Sequence, residues 1–387
     1  MKRLSSTLSA IAIGGAIMHA STTLVRARLA DQALARRAPD ASESGRITIV
    51  QPILSGDPAL SATLTENLRN APADVSFCWL VDTDDAEGLR ITRELSSDDA
   101  RVKIVVCAPW NGQGNPKVAK LVTGLQHCAE LVCVLDDDTV LPPGLLNEAR
   151  RWLTTGDLVC GNPVYRARPG VWSRLVAAWV NGSSLITHLP IAELVAPPTI
   201  NGMWYLLRRS DLEAVGGFEM IAEKLCDDYE IAKLYRDNGF RIVQSPLVHP
   251  VTTTITGASH YLSLMRRWML FTRRLLAKEA PPGIMGLVVV PAFLPLVCLT
   301  AALASRRPMG VVIVIAELGF KSLVLAKLRK RSGVSEFTGP VHPGDTVLEA
   351  VADLSQPLHL LTSLWHGDRV RWRSRDLALH TDRVSGH

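Results

Sequence analysis

Three consecutive carboxylates, Asp136-Asp137-Asp138, follow an apolar run and precede Thr139-Val140-Leu141-Pro142-Pro143. Adjacent carboxylates repel one another, and a hard cation relieves that repulsion. A D-x-D triplet at a strand end suits Mg2+ or Mn2+ held by Asp136 and Asp138, with positions left open for diphosphate oxygens. Such a cation stabilises a departing nucleoside diphosphate. The alternative is a solvated acidic turn that caps the next helix. A second cluster, Asp82, Asp84 and Asp85, closes an earlier apolar run. A carboxylate there accepts from a nucleobase N–H or a ribose hydroxyl, or belongs to a turn.

Asp227-Asp228-Tyr229-Glu230 opens a helical stretch, so one aspartate, best Asp227, fits an N-cap. Asp228 is then the candidate general base for an acceptor hydroxyl. In Arg266-Arg267-Trp268, Arg267 is placed to pair with a diphosphate and Trp268 to pack the acceptor side. A basic interfacial helix is the other reading, and it suits Arg273 and Arg274. Gly114-Asn115-Pro116-Lys117 is not a P-loop; Lys117 either approaches a phosphate or is a surface lysine. The ten histidines form no H-x-x-x-H or H-E-x-x-H pair, and G-x-S-x-G is absent, which disfavours zinc and serine-hydrolase chemistry.

These residues need strand ends to stand on. Apolar runs at 47–53, 75–81, 102–107 and 130–135 read as strands, and the segments between them read as helices. That alternation predicts a parallel α/β sheet, and the continuous hydrophobicity says both faces are covered. Ligands bind such sheets at the carboxyl ends of the strands, where two of the acidic clusters fall. Val215-Gly216-Gly217 reads as a helix end with glycines at positive φ.

The 387 residues hold 47% hydrophobic residues and a net charge of +5. Residues 4–25 carry no Asp, Glu, Lys or Arg, with one histidine, His19, and are long enough to cross a bilayer as a helix, with a signal peptide as the alternative. Residues 281–305 are the second uncharged stretch. Residues 309–328 are apolar but contain Glu317 and Lys321, and 346–365 are amphipathic. Arginines and lysines gather beside these segments, which puts the intervening domain on the cytoplasmic side, at the inner membrane in a bacterium. No nucleic-acid module is recognisable. The seven cysteines form no C-x-x-C pair and read as buried thiols.

Taken in order, strand-end Asp85, GNPK, the D-x-D, Asn201-Gly202-Met203 with VGGF, DDYE, Arg267-Trp268 and the membrane segments resemble the family-2-type GT-A glycosyltransferases, closest to the ceramide glucosyltransferase group. Arg371-Trp372-Arg373 resembles that group's closing segment. The resemblance implies that Asp85, Lys117, Asp136, Asp137, Arg267 and Trp268 serve the nucleotide-sugar, that Asp136 and Asp138 hold Mn2+ or Mg2+, and that Asp228 is the catalytic base. Leu264 departs from the pattern, standing where the family has Gln or Arg; Arg266 is the neighbour able to compensate. A family histidine has its nearest counterpart in His188, displaced by a few residues. The expected organisation is an anchor at 1–28, a GT-A domain at 45–275, a membrane hairpin or interfacial helices at 281–328, and an amphipathic, basic segment at 329–387. The implied reaction is inverting transfer of a hexose, by default glucose, from a UDP-sugar to a ceramide-like membrane lipid. A hopanoid or diacylglycerol acceptor, a polysaccharide synthase and a non-catalytic nucleotide-sugar-binding membrane protein are the rivals.

Overall fold

The structure, a computed structural model, describes residues 2–112, 114–279, 282–338, 343–365, 369–372 and 375–378. After the long helix α1 (Lys2–Ala35), strands and helices alternate. They are β1 (Ile47–Ile53), α2 (Leu60–Asn70), β2 (Ser76–Asp82), α3 (Ala86–Ser96), β3 (Val102–Cys107), α4 (Pro116–Leu125), β4 (Leu131–Leu135), α5 (Leu145–Leu153) and β5 (Leu158–Tyr165). There follow α6 (Val171–Asn181), α7 (Leu185–Leu194), β6 (Trp204–Arg208), α8 (Arg209–Ala214), α9 (Asp227–Asp237), β7 (Ile242–Val251) and α10 (Ala258–Glu279). A short turn α11 (Pro282–Ile284) and a π-helical stretch Met285–Val289 lead into α12 (Val290–Ser305), α13 (Pro308–Arg331), α14 (Val334–Thr338) and α15 (Pro343–Trp365). A hairpin of β8 (Arg369–Trp372) and β9 (Arg375–Ala378) closes the chain. Arg371 and Trp372 thus belong to β8, whereas Arg373 lies outside the described residues.

The expected α/β class holds, with one change: the sheet is mixed. Its order is β3-β2-β1-β4-β6-β5-β7, and β6 runs antiparallel to both β4 and β5. Leu135 pairs with Trp204, so the chain entering β6 lies beside the chain leaving β4. One edge of the sheet therefore gathers the loop after β1, Asp136–Asp138 after β4, Tyr165 at the end of β5, Gly202-Met203 before β6 and the threonines after β7. The antiparallel strand is what brings Asn201-Gly202-Met203 to the acidic triplet.

Alternation along each strand fills both faces. Ile47, Ile49 and Ile53 pack with Leu64 and Trp79 under α2 and α5; Val50, Leu80 and Val134 pack with Leu121 and Tyr235 under α4 and α9. Six cysteines are buried and Cys226 is half-buried. Gly216 and Gly217 take the positive φ expected at the end of α8, at 94° and 76°.

Four stretches among the described residues are helical, long and apolar enough to cross a membrane: Arg3–Ala35, Val171–Leu194, Met285–Ser305 and Pro308–Arg331. The second is the most buried and is broken between α6 and α7, and it packs between the sheet strands β5 and β7 and the helices α1 and α15. α1, α12 and α13 meet through small residues, Ala12, Ala16, Ala301 and Ala302, which let helix axes approach closely. α15 is amphipathic in the opposite sense to a helix of a water-soluble protein. Glu349, Asp353, His359 and Ser363 are buried, Glu349 at 4% exposure, whereas Val347, Leu358 and Leu364 face outward, Val347 at 63%. A helix that hides its polar side and presents its apolar side is suited to a hydrocarbon surround.

Candidate active site

The GNPK loop supplies the organising cation. Asn115 caps α4, accepting from the Lys117 and Val118 amides, and its Nδ2 donates to Leu225 O and Asp227 Oδ1. Pro116 begins the helix, where a missing N–H costs nothing. Lys117 then points under the sheet edge. Its Nζ lies 2.7 Å from Asp136 Oδ1, 2.9 Å from Asp227 Oδ2 and 2.8 Å from Gly202 O. Burial alone would lower its pKa, but Asp136, Asp227 and Asp228 outweigh burial and hold it well above the lysine range. Its ammonium donates to Gly202 O and forms ion pairs with Asp136 and Asp227. Lys117 therefore positions two carboxylates, and it also lines the polar cavity in which the sequence expects it to approach a phosphate.

The acidic triplet divides its work. Asp137 Oδ2 accepts from the Leu54 amide at 2.8 Å, fixing the loop after β1. Asp137 lines the polar cavity together with Asp136 and Asp138; its volume is about 660 Å³, and Ser55, Thr254 and Arg267 share its lining. Asp138 accepts from Thr253 Oγ1. Burial pushes the Asp136 carboxyl up to about 7, Lys117 pulls it down, and Asp138 and Asp227 add to the rise. Excess negative charge remains at this edge even with Lys117 present.

Asp85, expected to touch the nucleotide, is not among the cavity-lining residues. Its carboxylate caps α3 through the Gly88 amide and accepts from both the backbone and the hydroxyl of Ser55. Burial raises its pKa, and these hydrogen bonds overcome that and hold it below the usual range. Asp85 acts through the Ser55-Gly56 loop, which does line the cavity.

A second cavity of about 390 Å³ opens on Asp228. Its walls are apolar, including Ile200, Phe271, Leu275 and Val288, and it runs among α1, α10, α12 and α15. Tyr165, Met203 and Trp268 line both cavities, so the two meet at those side chains. Trp268 is fixed there by Tyr165, edge-on at 6.1 Å, and by Trp179 at 5.4 Å. On α10, His260, Ser263, Leu264, Arg267 and Trp268 form the cavity face; Arg266 is not part of it. The compensation expected of Arg266 for Leu264 is therefore not built here, and Leu264 packs instead with Tyr165, Tyr261 and Met265.

α9 begins at Asp227 with Cys226 at the N-cap, so neither aspartate is the cap. Asp227 pairs with Lys117, and Asp228 rests against Gly202. A Cβ at Gly202 would lie 1.9 Å from Asp228 Oδ1, closer than any real contact, so glycine alone admits the carboxylate. Burial pushes the Asp228 carboxyl up to about 7, with Asp227 adding to the rise and Lys117 opposing it. That is the range in which a general base is effective near neutrality. His188 lines the apolar cavity. Buried His249 also belongs to this region, bonded through Nε2 to Asn201 Oδ1 at 3.1 Å.

Sequence patterning missed Asp57, Tyr165 and Met203. Asp57 accepts from the Thr254 amide and hydroxyl and so ties the β1 and β7 loops together. Its only sequence signal was the Ser55-Gly56-Asp57-Pro58 turn; Met203 stood in the Asn201-Gly202-Met203 motif without a role of its own, and Tyr165 gave no signal.

Two carboxylates facing a polar cavity are a donor set for a hard cation that takes its remaining ligands from phosphate and water. Among the described residues no group of three or more His, Cys, Asp or Glu side chains is arranged for a metal, so the protein alone does not cage one.

The sequence pattern of glycosyl transferase family 21 matches residues 7–384. The chain belongs to that family. Its sequence is similar to the ceramide glucosyltransferases. Ceramide glucosyltransferase 1 of Caenorhabditis elegans is 20% identical over 239 residues, covering 60% of this chain and 50% of the relative, so the chain spans about half the length of that curated relative. A mannosyltransferase from Pyrobaculum calidifontis, solved in complex with GDP-Man and Mn2+, superposes with a TM-score of 0.53 at 19% identity. That likeness covers 92% of this family-21 glycosyltransferase and 99% of the mannosyltransferase, and it shows a shared fold.

Proposed function

We propose that this glycosyltransferase moves a hexose, by default glucose, from a UDP-sugar to a hydroxyl of a ceramide-like membrane lipid, with inversion. The observation that carries the reading is the junction of two cavities at Tyr165, Met203 and Trp268, one polar and lined by Asp136 and Asp138, the other apolar and lined by Asp228. A charged donor and a hydrocarbon acceptor need such opposite surroundings, and they must meet where the bond forms.

In this reading the acceptor hydroxyl lies at Asp228, which takes its proton as the oxygen attacks the anomeric carbon. The bond to the diphosphate oxygen breaks as the new one forms, and one displacement inverts the centre. Arg267 faces the departing diphosphate. Asp136 and Asp138 would hold Mn2+ or Mg2+, whose chemistry is to neutralise that leaving group; the Mn2+ solved with the Pyrobaculum mannosyltransferase supports this choice. Lys117 keeps Asp136 and Asp227 in place. The domain at 45–275 would face the cytoplasm, held by the anchor at 1–28 and by the helices at 281–328, with the segment 329–387 completing the acceptor cavity through α15. A hopanoid or diacylglycerol acceptor fits the same apolar cavity.

The test is transfer in membranes containing the protein, given radiolabelled UDP-sugars, total lipid extract and Mn2+ or Mg2+, with and without EDTA. A labelled glycolipid that requires the cation is expected. Release of UDP with no labelled lipid from any donor contradicts the lipid acceptor, and a long polymer points to a synthase.

A further inference from the structure

The apolar cavity does not end in hydrocarbon. Its far wall carries His19 and Arg26 from α1, Lys321 from α13, and Asp353 and Gln356 from α15. His19, Arg26, Lys321 and Asp353 are each more than nine-tenths buried. Lys321 pairs with Asp353, His19 Nδ1 lies 2.7 Å from Glu317 Oε1, and Arg26 Nε donates to Ile186 O at 2.8 Å. Ionisable side chains between apolar helices are expensive and mark functional positions.

The same helices hold an internal comparison. Arg329 of α13 pairs with Glu349 of α15, which also accepts from Ser322, and none of these three lines the cavity. That pair joins two helices and does no more. The Lys321–Asp353 pair joins the same two helices but opens on the cavity that reaches Asp228.

We propose that this wall is a second polar subsite for the acceptor, holding a hydroxyl or amide of the lipid distinct from the hydroxyl that receives the sugar. The inference rests on the lipid-acceptor reading above. Arg26 and Lys321 line the cavity with Asp353, and Glu317 lies behind His19, so the wall offers donors and acceptors without a large net field. That balance suits an uncharged polar group over an anionic head group. His19 and Arg26 are seven residues apart on one helix, so the polar surface extends about 10 Å along its axis. These side chains already pair with one another, and a second polar group on the lipid adds a partner on the cavity side that a lipid with a single hydroxyl does not.

The test uses the full chain in nanodiscs and two acceptors of equal hydrocarbon content. One is a long-chain primary alcohol; the other carries an additional hydroxyl or amide. The bifunctional acceptor is expected to show a kcat/KM about ten- to a hundredfold higher, because only it adds hydrogen bonds to the polar side chains on the cavity wall. Lys321→Met combined with Asp353→Leu removes both charges together and should compress that ratio to within about threefold, with the KM for the donor unchanged. Arg329→Met combined with Glu349→Leu should leave the ratio intact. If the first pair does not fold, Gln356→Leu, a neutral change on the same wall, should compress the ratio several-fold. Equal use of both acceptors by the wild type, or an unchanged ratio in folded cavity-wall variants, overturns the subsite alone. No transfer to either acceptor overturns the lipid-acceptor reading and this inference with it.

Discussion

Gly202→Ala is the sharpest single perturbation of the proposed base. An added Cβ would lie 1.9 Å from Asp228 Oδ1 and 2.7 Å from its Cγ, so the carboxylate must retreat by about 1 Å. The substitution keeps the Gly202 carbonyl that accepts from Lys117, and it adds no charge. Misplacing a reacting group by about 1 Å costs on the order of a hundredfold in rate, and general-base catalysis itself contributes about 10²–10⁴-fold. The expected kcat is therefore about a hundredfold below wild type, with UDP-sugar binding within about twofold because the donor cavity lies across Tyr165 and Met203. Steady-state transfer to lipid, with donor affinity measured by calorimetry on the same preparation, separates the two quantities. A kcat within about threefold of wild type would refute the claim that Asp228 must sit against residue 202.

Three further outcomes follow from the same geometry. Lys117→Met leaves Asp136 and Asp227 facing each other without their cation and should cost about 3 kcal/mol of stability, read as a lowered unfolding midpoint; an unchanged midpoint contradicts the bridging role. With the Asp228 carboxyl at about 7, kcat/KM should rise about tenfold per unit of pH up to that point and then level, whereas residual Asp228→Asn activity should lack this limb. His249 is held down to about 3, by burial first and by the neighbouring His188 second. Its folded pKa lies below the unfolded value of about 6.5, so the unfolded chain binds the proton first and stability is lost as pH falls between the two. Between pH 7 and pH 5 the wild type should therefore lose about 2 kcal/mol more than His249→Gln, and equal losses would show that His249 is not buried as a neutral ring.

Much of this was legible because it rests on short, local chemistry. Strand ends carrying aspartates, a proline and asparagine opening α4, and uncharged stretches of membrane length each state their role within a few residues. What stayed hidden depends on distant pairings. Nothing near Trp204–Arg208 says that this strand runs antiparallel, yet that reversal is what puts Gly202 beside Asp136. Lys117 gave no sign in the sequence that oxygens from three separate segments surround it. Asp85 read as a nucleotide contact, but its carboxylate is taken up by Ser55 and Gly88. α15 showed an amphipathic pattern from sequence alone, and only packing reveals that Glu349 and Asp353 face inward while Val347 and Leu358 face out.

The most direct measurement of the central claim is the anomeric configuration of the purified glycolipid, read by proton NMR, from wild-type enzyme and an α-linked UDP-hexose. A single displacement with Asp228 as base predicts a β-glycoside, made by Asp228→Asn about 10²–10⁴-fold more slowly. An α-glycoside, or a β-product formed at undiminished rate by Asp228→Asn, would contradict it.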